Sequence, residues 1–356
     1  MLGRGEEYVA LLERAHGAYM DAKDPVGAVR CAIWIGAHFA QREEIARAGG
    51  WLGRAKRLLE RHGLDGVEQG YLLLPSVFEH EARGELELAA RVAAEAVAVA
   101  ERFDDQDLLA LGAHMQGHML IEAGHLKEGL ALLDEAMVPG AAGELSPIVT
   151  GIVYCGVILA CRYAHEVRRA REWTELLSRW CERQPDLVAF TGRCLIHRAE
   201  IIQLEGSWSV ALEEARRAHE RCLQGQNEAG AGEASYRQGE LHRLRGEQSA
   251  AESAYRAASR RGREPQPGLA LLRVAQGERA SALKLIRRAL AETAQPHGRL
   301  ALLPAGIEIM LAAGELEDAR VASLELERLI DAEECAVLAA TPVSYTHLTL
   351  PTTPYV

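Results

Sequence analysis

The sequence predicts an all-α fold in which helical hairpins stack into a solenoid. Apolar residues make up 48% of the 356-residue chain but aromatic residues only 5%, which is typical of closely packed helices. A turn residue followed five positions later by a small residue recurs nine times, at spacings of 31 to 45 residues. Periods of this length are typical of two-helix repeats, in which each unit contacts only its neighbours. We therefore expect a linear array of two-helix repeats and not one globular core.

Eight of the nine turn residues are glycines. Glycine readily adopts the left-handed conformation that commonly ends a helix, and a small residue one turn into the next helix allows close approach to its partner. A second small position follows seven residues later, about two helical turns on, and should face the same partner. The pairs are Gly5/Ala10, Gly50/Ala55, Gly84/Ala89, Gly124/Gly129, His165/Ala170, Gly206/Ala211, Gly246/Ala251, Gly277/Ala282 and Gly314/Ala319, and the second small positions are Gly17, Ala96, Ala136, Ala218, Ala258 and Ala289.

The stretch 231–262 shows how one repeat is built. Its two halves each carry apolar or small residues at spacings of three and four, as in an amphipathic helix, and Gly246 separates them. This pattern resembles the tetratricopeptide repeat, with Gly239, turn residue Gly246, Ala251, aromatic Tyr255 and Ala258 in the matching positions. Residues 115–137 are similar, although most units exceed the family's usual 34 residues. The resemblance covers about residues 1 to 342 and implies a right-handed superhelix.

The organisation we expect is one repeat array over 1–342, with eight to nine hairpins of which the first and last are incomplete. The Gly5/Ala10 pair has no first helix ahead of it. From Val343 the helical period stops, and the residues to Thr352 match the translation of a transposon-based sequencing adaptor, so 343–356 is interpreted as a disordered, non-native tail. An array cut through two repeats should expose apolar surface at its ends, which predicts self-association.

Composition and motifs argue against several classes of function. The net charge of −11 disfavours nucleic-acid binding by the array as a whole. The seven cysteines form no CxxC pair, so we expect buried free thiols and no zinc site. The chain contains no Gly-Lys pair for a phosphate loop and no GxSxG elbow. We expect a cytoplasmic protein that is not an enzyme, has no cofactor, no metal and no catalytic residues, and does not cross a membrane.

A candidate ligand groove follows from the tetratricopeptide resemblance, which implies that polar and aromatic residues on the first helices face the concave side. Such residues suit a peptide, a protein partner or a small effector, whereas a solvated helix face is the alternative for any one of them. His114 and His118 could share a metal, but interhelical histidines are favoured. Arg260, Arg261 and Arg263 are interpreted as solvated or capping groups at a helix end. The groove residues are His114, His118, Arg162, Arg193, Glu200, Gln203, Tyr236, Glu240 and Arg243.

Three longer phrases, at 144–161, 186–218 and 260–277, resemble the helical-repeat region of bacterial LuxR-type transcriptional regulators. The resemblance implies an array that senses an effector or partner and passes the signal to a C-terminal helix-turn-helix domain, through which alone DNA would be bound and which is absent from this chain. The alternative is a free-standing adaptor that scaffolds protein complexes. A metal-dependent enzyme centred on His114 and His118 is the least favoured hypothesis.

Overall fold

A computed structural model describes residues 5–40, 42, 44–164, 166–184, 188–294 and 296–333. The regular structure in these ranges is helical throughout, and the predicted tail at 343–356 lies outside them. The helices are α1 Gly5–Asp21, α2 Pro25–Ala40, α3 Ile45–His62, α4 Glu68–Ala82, α5 Leu86–Phe103, α6 Gln106–Glu122, α7 Leu126–Ala142, α8 Pro147–Tyr163, α9 Val167–Glu182, α10 Val188–Leu204, α11 Trp208–Gln224, α12 Glu228–Leu244, α13 Gln248–Arg260, α14 Gly268–Ala275, α15 Arg279–Glu292, α16 Pro296–Ala313 and α17 Leu316–Glu333.

Helices that follow each other in the chain pack as antiparallel hairpins, such as α2 with α3, α6 with α7 and α12 with α13. The turn between two such helices has a repeated geometry. At Gly84 the backbone takes φ +73°, and the next residue, Glu85, donates its N–H to the carbonyl of His80 at 3.0 Å. This bond satisfies a carbonyl at the helix end that has no partner within the helix. The predicted turns with positive φ are Gly84, Gly124, Gly206, Gly246, Gly277 and Gly314, so these six predictions are confirmed.

Two predicted turns were wrong, and His165 lies outside the described residues. Gly50 is inside α3, and the chain instead reverses before Glu44, whose N–H donates to the carbonyl of Phe39 at 3.0 Å. Ala48 and Ala55, seven residues apart, are both buried. Ala48 is therefore the first small position of α3 and Ala55 the second, whereas the spacing pattern had assigned Ala55 as the first.

Gly5 is likewise the first residue of α1 and not a turn between helices. The buried face of α1 carries Val9 and His16, whereas Ala10 is exposed. His16 contacts the next helix through Nδ1, which lies 2.8 Å from the carbonyl of Ala28. The same contact, again across twelve residues, joins His219 of α11 to Ala231 of α12 at 3.1 Å. α1 thus resembles the second helix of a hairpin, but its buried positions, Val9 and His16, each lie one residue before the predicted small positions, Ala10 and Gly17.

Small residues allow the paired backbones to meet closely. A Cβ atom on Gly129 would lie 2.5 Å from the carbonyl oxygen of Gly117, and one on Gly117 would lie 2.8 Å from that of Gly129. Real Cβ atoms do not approach this closely, so α6 and α7 need glycine at both positions. The small positions of the other hairpins, such as Ala89, Ala211 and Ala251, are fully buried.

The described residues divide into two compact units. Unit 1 comprises Met1–Ala160, Arg179–Thr191 and Gln224–Asn227, and unit 2 comprises Cys161–Ser178, Gly192–Leu223 and Glu228–Val356. Six of the seven cysteines are described, and all six are buried, as the sequence predicted. Among the described helices, none combines the length and the apolar character that crossing a bilayer requires.

Candidate functional site

Five charged side chains of unit 2 form a continuous set of ion pairs, which we call the arginine–glutamate network. Its members are Arg162 at the end of α8, Glu200 of α10, Glu233 and Arg237 of α12, and Arg263 beyond α13. Glu200 accepts from both Arg162 and Arg237, the latter at 3.1 Å. Glu233 accepts from Arg237 at 3.4 Å and from Arg263 at 2.6 Å. Two carboxylates therefore alternate with three guanidinium groups.

Arg237 lies at the centre of the network and is the most deeply buried member, with 11% of its side chain exposed. Burial alone disfavours a charge. Here the carboxylates of Glu200 and Glu233 outweigh burial and raise the pKa of Arg237 above its usual value. Burial likewise disfavours the charge of Glu233, but Arg237 and Arg263 hold the pKa of its carboxyl below the usual value. Arg237 and Glu233 thus each stay charged because oppositely charged side chains surround them.

Tyr236 lies beside the network on α12. Its ring is buried, and the guanidinium carbon of Arg263 lies 4.1 Å from the ring centroid, within cation–π distance. Burial and the nearby Glu240 raise the pKa of Tyr236. The ring of Tyr255 also lies near it, with 5.8 Å between the ring centroids. This aromatic pair supports one flank of the network.

Glu240, one turn beyond Tyr236, forms a second polar cluster. Its carboxylate accepts from the hydroxyl of Tyr255 at 2.5 Å and from Arg243 at 2.9 Å. A Cβ atom on Gly268, the first residue of α14, would lie 1.9 Å from Glu240 Oε1. Glycine at this position is what allows α14 to begin against the cluster.

The two remaining candidates in unit 2 lie on α10. Arg193 is exposed and makes no ion pair with another described residue. The side-chain oxygen of Gln203 is buried and has no hydrogen-bond partner among the described residues. Both residues therefore retain hydrogen-bonding capacity that the folded chain does not use.

Sequence reasoning missed four residues of this site, namely Glu233, Arg237, His197 and Arg263. His197 of α10 is buried, with Nδ1 lacking a hydrogen-bond partner in the described structure. Burial, and then the charges of Arg162, Arg193 and Arg237, lower its pKa well below the usual value. Its position four residues after Arg193 and three before Glu200 could have placed it on the same helix face. Arg263, interpreted as a solvated or capping group, is instead a member of the network.

His114 and His118 lie in unit 1 on α6 and are not part of the arginine–glutamate network. His114 is buried, and its ring fills the space above Gly156, where a Cβ atom would lie 2.7 Å from Cδ2. Burial and the neighbouring His118 lower the pKa of His114 to about 4. His118 pairs with Glu122 at 3.3 Å. In the described part of the chain no group of three histidine, cysteine or acidic side chains is placed to hold a metal ion.

A cavity of about 220 Å³ lies between α1 and α2 in unit 1. Its walls include Tyr19, Arg30 and Trp34. None of the nine candidate groove residues lines it. The cavity and the arginine–glutamate network are separate features.

No protein-family model matches the sequence, and no curated protein matches it. Among solved structures, the chain is similar to a Rap protein complexed with Competence and Sporulation Factor, with a TM-score of 0.61 and 13% identity over 95% of this chain and 98% of that one. It is also similar to a tetratricopeptide repeat protein from Parabacteroides merdae ATCC 43184, with a TM-score of 0.50 and 17% identity over 78% and 98%. These similarities confirm the predicted fold class, an α-solenoid of tetratricopeptide-like hairpins.

Proposed function

We propose that this chain is a non-catalytic protein-interaction array, and that the arginine–glutamate network is where it binds a peptide segment of a partner. The observation that carries the proposal is the placement of five charges in a partly buried set. Replacing buried ion pairs by apolar side chains is often neutral or stabilising, so packing alone does not account for the network. Charges arranged on a partly accessible surface do provide specificity for a partner.

The exposed fraction of the arginine side chains increases from the centre of the network to its outer members, as a binding surface requires. Arg237 is nearly buried, whereas 27% of the Arg162 side chain and 33% of the Arg263 side chain are exposed. A rigid centre fixes the geometry, and the more exposed guanidinium group of Arg162 can contact a ligand. The similar Rap protein was solved in a complex with Competence and Sporulation Factor, which supports a binding role for this fold.

The finer proposal is that the array is the sensing region of a LuxR-type transcriptional regulator in the cytoplasm. It rests on the resemblance of the phrases at 144–161, 186–218 and 260–277. Binding at the network would favour one of two arrangements of the hairpins, and DNA would be contacted only by a domain that is not within these 356 residues. Such coupling requires that the ligand binds the two arrangements with different affinity.

Selection from a phage-displayed random peptide library on the whole chain tests the proposal. We expect enriched peptides whose affinity, measured by calorimetry, falls at least tenfold in Arg237→Gln. Arg256→Gln is the matched control, because Arg256 is an exposed arginine of α13 in the same unit that pairs with Glu252 outside the network. Arg193→Gln serves as a second variant, since its exposed side chain has no structural partner to lose. The absence of any enriched peptide, or equal affinity in all variants, would contradict the proposal.

A further inference from the structure

We infer that the peptide segment bound at the arginine–glutamate network is acidic. This inference rests on the proposed function and specifies the chemistry of its ligand. Positive charge is in excess around the network. The network itself has three arginines and two glutamates. With the neighbouring Arg193, Arg243 and Glu240, the set contains five arginines and three glutamates. The whole chain carries a net charge of −11, so the excess is local.

His197 shows that the folded chain does not neutralise this excess. The residue is 7% exposed, and its charged neighbours are Arg162 of α8, Arg193 of α10 and Arg237 of α12. A protonated imidazole would add a further positive charge among them, and the ring is accordingly kept neutral. Its Nδ1 has no hydrogen-bond partner among the described residues.

Several donors remain for a ligand. Each guanidinium group has five N–H donors in a planar fork that matches a carboxylate. Arg193 is exposed and unpaired in the described structure, and the contact of Arg162 with Glu200 uses its Nη2. Arg263, in contrast, is occupied by Glu233, the backbone carbonyl of Glu264 and the ring of Tyr236. Arg162 and Arg193 are therefore the groups that we expect to contact the ligand first.

A short acidic peptide fits this charge distribution better than a nucleic acid. Electrostatic attraction extends about 8 to 10 Å at ordinary salt, so a short segment experiences mainly the local positive excess. A long polyanion would also meet the surrounding negative surface of a chain at −11. Carboxylates spaced along an extended peptide can meet Arg162 and Arg193 without that repulsion.

The test uses a fluorescein-labelled peptide in which four glutamates alternate with serines, and the same peptide with glutamine at the four positions. Fluorescence anisotropy with the whole chain should show the glutamate peptide binding at least tenfold more tightly, and more weakly as salt is raised. Arg193→Gln should weaken binding about threefold, as expected for one exposed ion pair. Arg256→Gln should leave binding unchanged.

Equal binding of the two peptides, or no effect of Arg193→Gln, would overturn the inference. Tighter binding of an oligothymidylate of equal charge would also overturn it, in favour of nucleic acid. The library selection separates this inference from the proposed function. If peptides are enriched but lack Asp and Glu, the inference is wrong and the proposed function stands; if none is enriched, both fail.

Discussion

Lowering the pH from 7 to 5 should destabilise unit 1 by about 2 kcal/mol through the protonation of His114 alone. Burial lowers the pKa of this imidazole to about 4 in the folded chain, from 6.5 as the ordinary value. The unfolded chain therefore binds a proton at His114 more readily than the folded chain does. The stability associated with neutral His114 is fully present above pH 6.5 and is lost as the pH falls toward 4.

The magnitude follows from the difference between the two pKa values. Each unit corresponds to about 1.4 kcal/mol, so a shift from 6.5 to about 4 gives a total of roughly 3.4 kcal/mol below pH 4. At pH 5 about three fifths of this total is already lost, and at pH 7 almost none. The protonated ring of His114 could reach solvent only by leaving the space above Gly156 that it fills.

Urea unfolding followed by circular dichroism, at pH 7 and pH 5, measures this loss in the wild type and in His114→Leu. Other groups titrate as well, but they are common to both proteins and cancel in the comparison. We expect the wild type to lose about 2 kcal/mol more than the variant. His62→Gln, at an exposed histidine of α3, should retain the wild-type pH dependence. An identical pH dependence in the wild type and His114→Leu would refute the reasoning.

Three further predictions concern packing, turns and buried charge, all read from urea midpoints at pH 7. Gly239→Ala should cost about 1 to 3 kcal/mol, because its Cβ would lie 2.5 Å from Tyr255 Cε1. Gly49→Ala, beyond the first turn of α3, should instead stabilise by up to about 1 kcal/mol, since nothing lies within 4 Å of its Cβ. A reversed order would contradict the hairpin geometry. Gly246→Ala should cost about 1 kcal/mol, because the φ of +76° is unfavourable for a residue with a side chain, and an unchanged midpoint would be inconsistent with this turn. Arg237→Leu should cost about 3 kcal/mol, because Glu200 and Glu233 would lose the guanidinium group between them. An unchanged stability would mean that water compensates the two carboxylates and that the network does not stabilise the fold.

The turns show how far local sequence determines the hairpins. Gly84, Gly124 and Gly246 were predictable because few residues other than glycine adopt positive φ readily, so the requirement is visible at a single position. Gly50 misled the same rule. In α3 the small residues Ala48 and Ala55 repeat every seven positions, and spacing alone cannot tell which of the two lies nearer the turn.

The site was less predictable than the fold, because its contacts join residues about one repeat apart. Glu200 and Arg237 are 37 positions apart and on different helices, and nothing in either local sequence specifies the pairing. The resemblance to tetratricopeptide repeats selected Glu200 for its helix face but did not select Arg237, and only the structure shows that the two side chains are in contact. It did not select Arg263, because a residue beyond a helix end has no place in the periodic pattern. It did not select His197, which is distinguished only by the arginines around it.

Hydrogen exchange measured by mass spectrometry, with and without the glutamate peptide, tests the central claim most directly. If the arginine–glutamate network is the binding site, the peptide should slow exchange in α10 and α12, which carry Glu200 and Arg237, and Arg193→Gln should reduce that protection. Protection confined to α1 and α2, around the cavity beside Trp34, or no protection at a saturating peptide concentration, would contradict the claim.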